Sequence, residues 1–180
     1  MVAVEWLLFT YKVPSEPAPP RIAVWRKLKA MGAVYLQSGV CLLPKTEEHV
    51  RRLKILENDV ATAGGEAVIL ATAPLDQRQE AKVLARFRAD RNEAYVEFLE
   101  RCADMEGEIA KERAANKFSY AELEENEADL KKLRGWLAKI HRLDFYGAPL
   151  ADQAAERLRQ CEELLDRYAQ DVFSAHEENR

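Results

Sequence analysis

Three features of the sequence predict an α+β protein in two parts. Apolar runs bounded by Pro, Gly and short polar turns fill residues 1–75, and within them the apolar spacing switches twice from strand-like to helical. Residues 76–180 instead carry long apolar repeats at three- and four-residue steps, interrupted by two short breaks.

Trp6 to Pro14 is aliphatic, aromatic and β-branched up to its proline, as a buried strand should be. From Arg21 to Met31 the period becomes helical: Val24, Trp25, Leu28 and Met31 fall on one side, and Gly32 stands where a helix C-cap is wanted. Val34–Gln37 and Val40–Leu43 are joined by Ser38-Gly39 alone, which suits a tight antiparallel hairpin closed by Pro44. Thr46 can cap a second helix with Glu47 and Glu48 in its first turn and Val50, Leu53, Leu56 and Val60 as its apolar stripe. Gly64-Gly65 ends that helix, and Glu66 to Thr72 supplies a fourth strand before Pro74. The order βαββαβ is the ferredoxin-like plan, an antiparallel sheet with two helices on one face.

The boundary between the parts is expected at residues 75/76, with Asp76 capping a long helix from about Gln77 to Asn116. Its seam is Phe87, Ala94, Phe98, Cys102, Met105 and Ile109. Ser119-Tyr-Ala-Glu122 is a capping box for a second helix with Leu123, Leu130, Leu133, Leu137 and Ile140 on its seam. Residues 144–149 break it, and a third helix from about Leu150 to Ala175 carries Ala154, Leu158, Cys161, Leu165, Tyr168 and Val172. Three such helices should fold as an antiparallel three-helix bundle over 76–180.

The composition, 48% hydrophobic and 32% charged, is that of a soluble chain with long charged helices. No run is long enough to span a membrane and no secretory signal precedes the first strand, so a cytoplasmic protein is expected. Cys41, Cys102 and Cys161 are too far apart for a disulfide framework or zinc site and read as buried small hydrophobes. His49, His141 and His176 read as isolated and exposed. No phosphate loop, nucleophile elbow or metal-ligand spacing occurs, so neither an enzyme nor a cofactor is expected. The layout is also similar to that of the small CRISPR-associated endoribonucleases, whose likeness implies a metal-binding acidic residue at the end of the first strand; Tyr11-Lys12 stands there instead, and a cation opposes Mg²⁺.

The net charge of −4 divides into +2 over residues 1–75 and −6 over the rest. From Pro17 to Lys45 there are five cations and no acidic residue. Arg26, Lys27 and Lys29 lie off the apolar side of the first helix, near Trp25 and Tyr35, and are the candidate contacts to double-stranded DNA; a solvated helix face is the plainer alternative. Arg21 falls toward the apolar side and is expected to pair inside the protein.

Several segments carry a resemblance: Trp6 to Pro14, Arg21-x-x-x-Trp25-Arg26-x-Leu28, Gly32-Ala33-x-Tyr35-Leu36-Gln37-x-Gly39-Val40-x-x-Leu43-Pro44, Gly64-Gly65-Glu66-Ala67, Lys117 to Leu130, Lys132-Leu133-x-x-Trp136-Leu137 and Asp144 to Pro149. Together they resemble the N-terminal domain of the ChrB chromate-resistance proteins. In layout the first part is also similar to the ferredoxin-like domain of the PaaX-type repressors of phenylacetate catabolism. The resemblance implies an oxyanion-responsive transcriptional regulator; the alternative is an interaction module that binds no DNA and docks on a partner. A homo-oligomer is expected either way. Full-length ChrB proteins have a further C-terminal domain that is not visible here, and a chain without it would hold only part of the function. Arg91 interrupts one bundle seam and Asn126-Glu127 another, which leaves two readings. One is an Arg91–Glu127 salt bridge. The other is a polar pocket in which Arg88, Arg91 and Lys117, with Tyr120 nearby, hold chromate or another oxyanion, opposed by surrounding carboxylates.

Overall fold

The computed structural model describes residues 3–178. The elements are β1 (Trp6–Lys12), α1 (Ala18–Ala30), β2 (Val34–Gln37), β3 (Val40–Pro44), α2 (Glu47–Thr62), β4 (Glu66–Thr72), α3 (Gln77–Ala114), α4 (Tyr120–Arg142) and α5 (Ala151–Glu177). The four strands form one antiparallel sheet in the order β2-β3-β1-β4, the ferredoxin-like arrangement. Helix α1 begins three residues before the expected Arg21, because Pro19 and Pro20 sit in its first turn, where a missing N–H costs nothing.

Two glycines are fixed by close backbone approach. At Gly39, with φ of 72°, a Cβ would stand 2.5 Å from the Tyr11 carbonyl oxygen, and at Gly65 one would stand 2.1 Å from that of Lys12. Both turns therefore close directly on the end of β1. Residue pairing puts Leu7, Phe9, Cys41 and Leu43 on one buried face of the sheet, and α2 packs against β1 and β4. Along the opposite face, the row Val34, Leu42, Leu8, Leu70 grades from buried at β2 and β3 to half-exposed at β4. At the β2 edge, Arg86 of α3 donates to the carbonyls of Tyr35 (2.8 Å) and Leu36 (3.3 Å).

The chain forms two compact units, and the division between them falls inside α3, at Phe87/Arg88. The first turns of α3 thus belong with the sheet rather than with residues 88–178.

In the second unit α3 and α5 run parallel, with Asn92 facing Leu150, Cys102 facing Cys161 and Arg113 facing Asp171. Helix α4 is antiparallel to α3, shown by the Tyr95–His141 and Phe98–Trp136 ring contacts and by Asn126 meeting Glu112. The expected α4 seam, Leu123 through Ile140, is buried, as are Phe98, Cys102, Met105 and Ile109 of α3. This register rules out the expected Arg91–Glu127 salt bridge. Arg91 lies level with the loop after α4, whereas Glu127 is exposed and, next to Asn126, lies level with the last turns of α3, about 30 Å along the axis at the helical rise. The polar residue inside the α4 seam is Asn126, 5% exposed, whose Nδ2 donates to Glu112 Oε2 and to the Glu122 carbonyl, both at 2.9 Å.

Candidate functional site

Helix α1 buries Val24 and Leu28, and that orientation decides where its cations go. At about 100° per residue, Lys27 falls on the flank toward α2, where its Nζ meets Asp59 Oδ2 at 2.6 Å. Arg21, Ile22, Trp25, Arg26 and Lys29 fall on the other flank. Arg21 and Arg26 are exposed, and Trp25 and Ile22 are 50% and 44% exposed. The wheel corrects two expectations: Arg21 points outward instead of pairing in the interior, and Trp25 is not part of the core. Lys29 is half-buried.

Beside this flank lies a cleft of about 710 Å³. Its walls are Arg21, Ile22 and Trp25 from α1, Tyr11 from the end of β1, and Tyr35 and the Gln37-Ser38-Gly39 turn of the hairpin. The Tyr11 and Tyr35 hydroxyls are hydrogen-bonded at 2.7 Å. Burial, and then the Tyr11 bond, push the Tyr35 phenol far above its ordinary range, so it remains neutral. Lys12, Ser15 and Glu16 line an adjoining hollow that also reaches Arg21.

The three proposed oxyanion contacts are not assembled. Arg88 is exposed and its Nε donates to the Tyr146 carbonyl at 3.1 Å, which ties α3 to the loop after α4. Arg91 is half-buried close to Tyr95, whose hydroxyl donates to Asp144 Oδ2 at 2.9 Å. Lys117 is exposed beyond the far end of α3, about 40 Å from Arg88 along the helix. The groove between α3 and α4, about 480 Å³, is lined by Asp104, Glu108, Glu112, Glu122, Glu125 and Asp129, which would repel a dianion.

The family described as Protein ChrB, N-terminal, matches residues 21–179. The chain belongs to the ChrB N-terminal family. Over 94 residues it is 34% identical to Protein ChrB of Cupriavidus metallidurans, a match that takes in 52% of this chain and 28% of that protein. The chain thus spans well under two thirds of the curated relative it matches. No solved structure matches it.

Among the described residues of this ChrB-family chain, no group of three or more His, Cys, Asp or Glu is placed to hold a metal ion. Among the same described residues, no helix is long and apolar enough to cross a membrane. His49 departs from expectation: it is 8% exposed, and its Nδ1 lies 2.7 Å from the Pro44 carbonyl. The cysteines are buried and unbridged, as read from the sequence. Burial pushes the Cys41 thiol up to about 12. Sequence reasoning missed the contact of Cys161, whose thiol donates to the Cys102 carbonyl at 3.8 Å, because the two lie on different helices. It also missed the cleft. The available signal was the i, i+4 spacing of Arg21 and Trp25, both of which had been assigned to the apolar side.

Glu112 offers a pH test of the bundle. Burial first, then Glu122, hold its carboxyl above the ordinary 4.5, against the Asn126 hydrogen bond. A raised folded-state pKa means that the folded protein holds the proton more tightly, so this contribution favours folding below the unfolded pKa and is lost as pH rises through the folded one. Glu112→Gln should therefore raise the melting temperature at about pH 7 relative to its effect at about pH 4. Thermal melts at both pH values check the sign.

Proposed function

We propose that this ChrB-family chain takes part in chromate-responsive transcriptional control, meeting duplex DNA through the exposed flank of α1. The observation that carries the reading is that flank: Arg21 and Arg26 lie exposed on one side of a helix, with Lys29 half-buried beside them, within a stretch that holds no acidic residue from Pro17 to Lys45. Guanidinium and ammonium groups so placed grip phosphates without reading sequence. Lys27 is held by Asp59 on the flank toward α2, away from these side chains. Chromate as effector follows from the family's association with chromate resistance, and Arg88 and Arg91, within one turn of each other, are its candidate contacts. Lys117 is too distant to join them.

Duplex binding across a salt series tests both parts. Arg26→Ala with Lys29→Ala should weaken binding and flatten the dependence of log K on log salt by about one to two, while Lys27→Ala changes little. Chromate should alter duplex affinity in the wild type but not in Arg91→Ala. Unchanged affinity and slope in the folded double variant would overturn the DNA reading, and a chromate effect surviving in Arg91→Ala would overturn that residue's role.

One observation favours the interaction-module reading as the second. Strand β4 is a seven-residue sheet edge carrying Val68 and Leu70 half-exposed, without the Arg86 contacts that occupy β2. Such an edge can pair with a second copy of the chain or a strand of another protein.

A further inference from the structure

We infer that the cleft between α1 and the β2–β3 hairpin binds a nucleotide, with the base stacked on Trp25 and the phosphate held by Arg21. Trp25 exposes half of its surface beside a similarly exposed Ile22, and together they make an apolar wall on an otherwise polar helix flank. An indole presented in this way is a stacking platform for any base, since every base has a π-face. Arg21 stands one helical turn before Trp25, on the same flank and in the same lining. It is exposed and has no ion-pair partner among the described residues. Its planar fork suits phosphate.

The opposite wall supplies neutral hydrogen-bonding groups. The Tyr11–Tyr35 pair uses one hydroxyl proton internally and leaves the other, with lone pairs, for a ligand. Ser15, Gln37 and Ser38 add two hydroxyls and an amide that can meet base edges or ribose. Charge selects the anion: Arg21 and Lys12 outnumber Glu16 across the cleft and its adjoining hollow. The volume, about 710 Å³, is that of a small-molecule site.

The same chemistry is offered by a free nucleotide and by an unpaired nucleotide of a single strand. The inference rests on the reading above in using the same helix flank, but its test leaves Arg26 and Lys29 untouched. Calorimetric titration of the full chain would use AMP, adenosine, inorganic phosphate and a ten-nucleotide single strand. AMP should bind about tenfold or more tightly than adenosine or phosphate. Trp25→Ala should weaken AMP by about tenfold. Arg21→Gln should abolish the preference for AMP over adenosine. Both side chains are exposed, so the variants should melt like the wild type. A single strand binding more tightly than AMP, with the same dependence on Trp25, assigns the site to nucleic acid; AMP binding at least as tightly assigns it to the free nucleotide. AMP and single strand both failing to bind below about 1 mM, or binding that is indifferent to Trp25→Ala, overturns the inference. Loss of duplex binding in the Arg26 and Lys29 variants with AMP binding intact leaves the cleft standing, and the converse removes only the cleft.

Discussion

Leu53→Asp is expected to leave the first unit unfolded at room temperature. Leu53 is fully buried on α2, in the helix that packs against β1 and β4. Deleting a buried leucine side chain costs about 2–5 kcal/mol, and an aspartate carboxylate enclosed at the same place, with no partner, adds several more. The total is comparable to the whole stability of a small domain, about 5–15 kcal/mol. Loss of the strand signal in circular dichroism and of dispersed methyl resonances would report it. A cooperative melt within about 5 °C of the wild type would mean that Leu53 does not stand in a closed core.

Asp144→Ala is expected to cost about 2–4 kcal/mol in urea unfolding, because one carboxylate serves two buried donors. It accepts from the Tyr95 hydroxyl at 2.9 Å, and both its oxygens accept from the Ala148 N–H, at 2.9 and 3.0 Å. Tyr95 is fully buried, and burial followed by the Asp144 bond raises its phenol well above the ordinary range. Removing Asp144 alone strands a hydroxyl and an amide, whereas Tyr95→Phe removes the hydroxyl itself. The double variant should therefore lose about 1 kcal/mol less than the sum of the singles. Strictly additive losses would show that the bond contributes nothing. Arg91→Ala with Glu127→Ala, by contrast, should be additive, since the bundle register keeps the two residues far apart.

The fold was legible because its signals are local. Gly39 and Gly65 sit where backbone approaches within what a Cβ would need, Thr46 and Ser119 cap their helices through the His49 and Glu122 N–H groups, and the α4 leucines repeat at the helical period. Each of these depends on a few neighbouring residues, so a linear reading finds it. The candidate site was legible only in part. The acid-free basic stretch was visible, but that Lys27 is held in an ion pair depended on Asp59, thirty-two positions away.

The sequence by itself determined the element order, most of the core positions, the unbridged cysteines and the family to which the chain belongs. Tertiary structure alone decided the rest. A periodic pattern fixes which residues share a helix face to within about one position, and Arg21 and Trp25 lie at that margin, so only packing against the sheet turned them outward. Axial register between helices leaves no mark on either helix separately, and it was register that separated Arg91 from Glu127 and Lys117 from Arg88 while bringing Cys161 to Cys102 and Tyr95 to Asp144. The cleft, too, exists only where the end of β1, the hairpin turn and one flank of α1 converge, because a concave surface is a property of elements in space and not of any one of them.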